Sequence, residues 1–454
     1  MKQTNTLREK LLQLWVIFTP ILITQLAMFS MTFFDIMMTG KYSANHLAGV
    51  AIGSSFWVPI FTGLSGILLS VTPIVAHLVG AKKKHEVPFS VIQGIYAGIA
   101  MALLVLLIGS IILMPLLNGM NLEDEVRHVA KFYLVSLAFG IIPLFVYNVL
   151  RCFMDALGKT RVTMIITLMS LPINVILNYI LIFGKLGMPQ MGGIGSGIAS
   201  AITYWIITFI AIWIIHRKKP FVDYQVFHSF HKISLEKWKE IFTLGVPIGM
   251  SIFVETSIFS AVTLFMSKFG TKVIASHQAA LNFASFIYMI PLSISMALTI
   301  LVGFESGAKR FKDARSYSLL GIGGGVTISL VTGILLFIFR PEVAHLYSDD
   351  QAVIRLTSQF LLYAVFFQLS DAILAPIQGT LRGYKDVNVT FIMALISFWV
   401  IGLPLGYLLA NKTEMGPFGF WLGLIIGLAI GAATLSYRLI IVQKRQFNLQ
   451  KSEQ

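Results

Sequence analysis

Three acids and two amides stand out by their position. Asp35 lies in Thr32-Phe33-Phe34-Asp35-Ile36-Met37, Glu255 in Ile252-Phe253-Val254-Glu255-Thr256, and Asp371 in Gln368-Leu369-Ser370-Asp371-Ala372, each inside a long apolar run. The rest of the 20 Asp+Glu fall between such runs or at their ends. If the runs cross a bilayer, a carboxylate at mid-depth costs roughly 2.5–3.5 kcal/mol on insertion scales. It must then face a wet or polar interior, neutralised by a proton or a cation. Asn174 and Asn178, in Leu171-Pro172-Ile173-Asn174-Val175-Ile176-Leu177-Asn178, are spaced i, i+4, so both amides project from one helix face. A carboxylate with amide and hydroxyl oxygens is a hard-oxygen set suited to Na⁺ or to a proton network. The competing reading of the two Asn is an interhelical hydrogen bond that glues spans together.

Glu255 and Asp371 sit on different runs that can meet in one bundle. Two carboxylates held close cannot both ionise cheaply and need a shared proton or a bound cation. The spacing is therefore that of a second cation site, with a permanently shared proton as the structural alternative. His277, Gln278 and Asn282 add polar groups to a further run, as a candidate polar cavity. A histidine there is more often a hydrogen-bonded interior residue than a relay. Arg151 and Asp155 are i, i+4 and read as a local ion pair. Of the 35 Phe, a subset can bind flat organic cations through their ring faces.

The elements that position these groups follow from composition. Only 34 Lys+Arg and 20 Asp+Glu occur in 454 residues, or 12 %, and mean hydropathy is +0.82. A soluble chain of this length would carry on the order of 110 charges. The composition excludes a soluble enzyme, a disordered chain and a coiled coil, and specifies an all-α polytopic membrane protein. One cysteine, Cys152, excludes a disulfide framework and a cysteine-clustered metal site. Runs long enough to span fall near 13–38, 47–78, 90–117, 129–152, 162–184 and 193–216, and again near 240–267, 274–305, 317–339, 353–377, 389–410 and 417–441. That predicts twelve transmembrane helices. The polar, basic segment Met1–Lys10 is not expected to be a cleavable signal. Pro20 lies about four turns before Asp35 in the first span and can kink it.

With the N-terminus cytoplasmic, about 25 of the 34 basic residues fall in inner loops, among them Lys2, Lys82-Lys83-Lys84, Arg217-Lys218-Lys219, Arg382, Lys385 and Lys451. Both termini are therefore expected inside a cell (inner) membrane. The net charge of +14 is a topology signal that calls for no nucleic-acid partner. The expected organisation is a six-helix lobe over 1–216, a cytoplasmic connection over 217–239, and a second six-helix lobe with a tail over 240–454. The halves also match each other. Sliding the chain until Pro20-Ile21 falls on Pro247-Ile248 lays Gly80-Ala81-Lys82-Lys83 on Gly307-Ala308-Lys309-Arg310, without a gap. Leu157-Gly158-Lys159 echoes Arg382-Gly383-Tyr384-Lys385. The acids are not copies of one another, since Glu255 falls on Met28 and Asp35 on Val262 under this shift. Six spans per half make the repeats parallel, an arrangement used for alternating access.

These residues together resemble the multidrug and toxic compound extrusion (MATE) transporters, in their NorM-like branch, over essentially the whole chain. The resemblance is carried by Phe34-Asp35 with Met38-Thr39-Gly40, by Pro172, Asn174 and Asn178, and by Gly192-Gly193-Ile194-Gly195-Ser196-Gly197-Ile198-Ala199-Ser200. In the second half it is carried by Val254-Glu255, by Ser276-His277-Gln278-Ala279-Ala280-Leu281-Asn282-Phe283, and by Asp371. It implies two lobes in a V around a central cavity, and export of lipophilic organic cations against inward Na⁺ or H⁺. It implies a first cation site at Asp35, Asn174 and Asn178, with Ser200 where many members have Thr. It implies a second site, with Na⁺ as candidate ion, at Glu255 and Asp371, and a bend at Pro20. Some sodium-coupled members have a Tyr one turn before the second acid, where this chain has Phe367. No cofactor other than the coupling ion is expected, and a monomer is expected.

The alternative is a lipid-linked precursor flippase of the same superfamily. It would need a cationic cavity for pyrophosphate, whereas the mid-span charges read here are acidic. An intramembrane enzyme would need paired Asp motifs, a Ser/His dyad or His-Glu-x-x-His. None occurs, so a non-enzymatic transporter is the expectation.

Overall fold

The computed structural model describes residues 1, 3–229 and 231–453, with side chains as far as residue 448. Lys2 and the side chain of Lys451, two of the expected inner basic groups, lie outside the described residues. Every regular element among the described residues is helical. The first half contains α1 (Leu7–Tyr42), α2 (Ala44–Leu68), α3 (Val71–Gly80), α4 (Val87–Asn118), α5 (Asp124–Ala138), α6 (Ile141–Ala156), α7 (Thr160–Phe183) and α8 (Gly193–Arg217). The second contains α9 (Leu235–Met266), α10 (Thr271–Gly307), α11 (Phe311–His345), α12 (Gln351–Gly383), α13 (Asn388–Leu395), α14 (Leu403–Lys412) and α15 (Phe418–Glu453). Eleven helical stretches are long and apolar enough to cross a membrane, and the pair α5–α6, bent by 49°, makes a twelfth. The predicted twelve spans are recovered, with ends extended by a few residues.

Local chemistry sets the helix starts. Ser43 caps α2 by accepting the His46 N–H. Asp350 caps α12 by accepting the Ala352 N–H at 2.8 Å, and pairs with Lys272 at 2.9 Å. The Lys272 ammonium, helped by that N–H, holds the Asp350 carboxyl below its ordinary value. The sequence repeat is also a backbone repeat. Lys82 and Lys309 both occupy the left-handed region, at φ 59° and 58°. In each turn the next N–H returns to a carbonyl five positions back, Lys83 to Leu78 and Arg310 to Glu305. The weaker echo holds too, since Lys159 and Asp386 close their turns on Met154 and Leu381 in the same way.

Two compact units result, and their limits differ from the expected lobes. One comprises Ile23–Gly245, the other Met1–Leu22 together with Val246–Gln454. The changeover in α1 falls just after Pro20, and that in α9 falls just before Pro247. The opening of α1 is held in the C-terminal unit by a Lys10–Asp313 ion pair of 2.9 Å and a Thr4–Tyr317 hydrogen bond of 2.9 Å. A boundary at the longest loop is what the sequence suggests, because loop length is visible along the chain and cross-chain packing is not.

The N-terminal unit is cored by Phe145, Phe153, Val149 and Leu150 of α6 against Val71 and Val75 of α3. In the C-terminal unit α10 and α12 are the most enclosed spans. Lipid tails are as apolar as leucine, so membrane helices associate through close packing at small residues rather than by burial of apolar surface. Gly379 on α12 shows this, for a Cβ there would collide with the Ser295 carbonyl oxygen of α10. At the same crossing Thr299 donates to the Gly379 carbonyl at 3.0 Å. Gly379→Ala must push two backbones apart and is expected to cost about 1–3 kcal/mol. The midpoint of thermal unfolding in detergent checks this against Gly323→Ala, where a Cβ meets nothing within 4 Å. Outward flanks such as Leu103, Leu107 and Ile111 of α4, and Ile334 and Ile338 of α11, are half or more exposed, and only lipid covers them at low cost.

Candidate cation sites

In the N-terminal unit, α1 delivers Asp35 and α7 delivers both asparagines. Asn174 and Asn178 are fully buried, one turn apart on the same face. The Asn178 amide donates to the Asp35 carboxylate and also to Asn174 Oδ1, the latter at 2.9 Å. Both N–H groups of Asn178 are thus used. Its own Oδ1, and Asn174 Nδ2, are buried without a partner. A buried amide oxygen left open beside a carboxylate is what a hard cation or a proton-bearing water would satisfy. Tyr133 of α5 and Tyr204 of α8 lie near enough for the Asp35 charge to act on both phenols. Tyr133 is hydrogen-bonded to Ser54 at 3.2 Å. Neither tyrosine stands out in the sequence, since nothing in its local spacing links it to Asp35. Ser200 is buried on α8 and makes no hydrogen bond to Asp35, Asn174 or Asn178 among the described residues. Pro20 lies inside α1 without ending it.

In the C-terminal unit, α9 delivers Glu255 and α12 delivers Asp371. Glu255 accepts hydrogen bonds at Oε1 from Gln378 Nε2 at 2.5 Å and from Ser251 Oγ at 3.3 Å. Glu255 and Asp371 interact electrostatically, so the structure brings these two sequence candidates into one cluster. Tyr288 of α10 feels both acids. A basic group also belongs to the cluster, because buried Arg382 on the last turn of α12 acts on Glu255. From the sequence, Arg382 reads as a loop residue and the mid-span charges read as acidic alone. For Glu255 that is corrected: α12 runs to Gly383, far enough to turn Arg382 inward.

Other buried acids supply a contrast. Asp155 pairs with Arg151 at 3.5 Å, as its spacing suggests, and accepts from Thr163 at 2.7 Å. Glu305, its side chain wholly buried, pairs with Arg310 at 2.5 Å. Both contact arginine directly, whereas Asp35 is met by an amide and Asp371 makes no ion pair among the described residues.

His277 and Gln278 meet at the Thr263 hydroxyl, and Asn282 stands apart from them. His277 is fully buried between α9 and α15, where Trp421 Nε1 donates to Nδ1 at 3.1 Å and Thr263 Oγ1 is 3.0 Å from Nε2. An indole N–H only donates, so Nδ1 carries no proton and Nε2–H faces Thr263. Gln278 is exposed and donates to Thr263 at 3.3 Å. Asn282 is exposed and accepts from Tyr347 at 2.9 Å. Phe367 is buried edge-on to Phe259, and Tyr363 stacks on Phe418. No three His, Cys, Asp or Glu side chains group to hold a metal among the described residues. The donors available are oxygens, which suit a hard monovalent cation or a proton.

The family model for MatE matches the chain twice, over residues 20–180 and 247–408. The chain belongs to the MatE family. The two matches begin at Pro20 and Pro247, the same pair of prolines that the internal repeat superposes. Relatives include "Probable multidrug resistance protein NorM" of Halalkalibacterium halodurans, 58 % identical over 98 % of this chain and 97 % of that protein. The protein of the same name from Bacillus subtilis is 56 % identical over 98 % of each. Among solved structures, a MATE protein in a straight conformation superposes with a TM-score of 0.88 at 18 % identity, covering 99 % of this chain and 100 % of that one. The eukaryotic MATE transporter AtDTX14 gives 0.84 at 21 % identity, over 98 % and 99 %. At these identities the structural likeness establishes the fold. This MatE protein is a multi-pass membrane transporter of the NorM-like branch and not an enzyme.

Proposed function

We propose that this MatE protein exports chemically varied small molecules, chiefly lipophilic organic cations, in exchange for Na⁺ or H⁺ entering from outside. Multidrug export follows from relatives above 55 % identity that carry the multidrug-resistance name. One observation carries the ion coupling. Asp35 is met within its span by an amide whose own oxygen is left open, and it has no basic partner among the described residues, while Asp155 and Glu305 each form an ion pair with an arginine. Leaving a carboxylate in a membrane span uncompensated is costly, and a transporter uses that cost. Ion entry neutralises Asp35 at one site, and Glu255 with Asp371 at the other. The neutral and ionised acids then favour different helix packings, with α1 able to bend at Pro20, whose ring nitrogen has no N–H to donate. A bound cationic drug loses its electrostatic partner and leaves outwards. The ion is released on the cytoplasmic side, the side to which loop charge assigns both termini. Coupling of this kind requires ion and drug to favour different states.

The test is uptake of a fluorescent lipophilic cation into proteoliposomes under Na⁺ and pH gradients imposed separately. Accumulation driven by the Na⁺ gradient alone is expected, and accumulation by the pH gradient alone assigns the coupling to protons. Equal accumulation with neither gradient overturns antiport.

A further inference from the structure

A small cavity inside the C-terminal unit lies between α10, α11 and α12. Its walls include Tyr288 and Pro291 of α10, Ser329 and Thr332 of α11, and Gln368 and Asp371 of α12. Gln368 is the feature that calls for an explanation. It is only 6 % exposed, yet both Nε2 and Oε1 are buried with no hydrogen-bond partner among the described residues. An amide stripped of water at both ends is costly unless something fills the space beside it. Asp371 is three residues on, on the same face of α12 and lining the same cavity. The hydroxyls opposite are oriented for accepting. Ser329 Oγ donates its proton to the main-chain carbonyl of Gln368 at 3.2 Å, and Thr332 Oγ1 donates to the main-chain carbonyl of Ser329 at 3.2 Å. Their oxygen lone pairs therefore remain free for a cation. Gly333 makes room for the amide, since a Cβ there would stand 2.8 Å from Gln368 Nε2.

We propose that Gln368 is a cation ligand. Its amide oxygen, the Asp371 carboxylate and the Ser329 and Thr332 hydroxyls form a chamber for a dehydrated Na⁺ at the Asp371 end of the Glu255–Asp371 site. One carboxylate with three neutral oxygens balances a monovalent ion, and oxygen donors of this kind suit a hard one. The amide supplies the neutral oxygen that Phe367, one position earlier, does not. This assignment rests on the ion-coupled reading above and names the ion and the residue that selects it.

The test uses the full-length protein in detergent, without drug, and reads the Na⁺ concentration that half-saturates the rise in unfolding temperature, with Li⁺ and K⁺ alongside. Drug affinity is measured separately. Gln368→Leu is expected to raise the half-saturating Na⁺ concentration by about tenfold or more, the loss expected for one ligand to a charge, with drug affinity unchanged. Gly333→Ala displaces the flexible amide head without removing it and is expected to weaken Na⁺ in the same direction. A wild-type Na⁺ response in both Gln368→Leu and Gly333→Ala overturns the assignment and leaves ion coupling standing. Weakened drug binding with unchanged Na⁺ response also overturns it, and makes the cavity part of the drug site. A wild-type protein that ignores Na⁺ overturns sodium coupling together with this assignment, while leaving proton-driven export intact.

Discussion

Asp35→Asn is expected to abolish gradient-driven export while leaving the protein at least as stable as wild type. The substitution is nearly isosteric. Asn at position 35 still offers a carbonyl oxygen to the Asn178 amide that Asp35 accepts from. What disappears is the charge, and with it the insertion cost of roughly 2.5–3.5 kcal/mol that an uncompensated carboxylate imposes in a span. The thermal midpoint should therefore stay level or rise. Transport should fall because a neutral amide looks the same to the helices whether or not an ion has arrived. In a coupled transporter the ion changes drug affinity by about 5–150-fold, and in this variant that factor should fall to whatever the Glu255–Asp371 site supplies alone. Drug binding measured with and without the ion, together with proteoliposome uptake, checks both halves. Uptake at the wild-type rate would remove Asp35 from the mechanism.

Glu255→Gln is expected to abolish export as well, but with the opposite effect on stability. Glu255 is held by the Gln378 amide and the Ser251 hydroxyl, and its charge acts on the buried Arg382. Removing that charge leaves a guanidinium buried without its counter-charge. Breaking a contacting buried pair costs about 3–5 kcal/mol. Arg382 acts on Glu255 through space, so a smaller loss of roughly 1–3 kcal/mol is expected, seen as a lower thermal midpoint. The double variant Glu255→Gln/Arg382→Met removes both charges and should recover most of the stability without recovering transport. Recovery of transport in the double variant would make Glu255 a structural counter-charge rather than part of the coupling site. Asp371 acts on the same cluster, so adding Asp371→Asn to Glu255→Gln should cost transport no further. The contrast between Asp35→Asn and Glu255→Gln separates loss of coupling from loss of fold.

Much of the architecture can be read along the chain because a bilayer imposes a one-dimensional rule. A span needs about twenty apolar residues, so the twelve helices are found with ends a few residues short. The repeat is legible for the same reason, as one fixed shift that superposes Pro20 on Pro247 and one Gly-Ala-Lys turn on the other, which the structure renders as matching left-handed lysines. The pairing of Asn174 with Asn178 is legible because i, i+4 is a local relation on a helix, whereas the bond from Asn178 to Asp35 joins two distant spans and is only one of the readings the spacing allows. The limits of the units are not legible. That Met1–Leu22 packs with the second half depends on Lys10 reaching Asp313 and Thr4 reaching Tyr317, contacts between opposite ends of the sequence.

The sequence by itself determined the membrane class, the number of spans, the repeat, and the acids that a bilayer makes expensive. Each of these depends only on composition or on spacing within one helix. The tertiary structure alone decided what surrounds each acid. It put the tyrosines Tyr133 and Tyr204 near Asp35, turned Arg382 towards Glu255, joined His277 and Gln278 at Thr263 away from Asn282, and left the Gln368 amide unpaired beside Asp371. The physical reason is that the face a side chain presents is fixed by helix rotation and by close approach at small residues such as Gly379 and Gly333. Apolar spans are hydrophobic all round, so their sequences carry little record of that rotation.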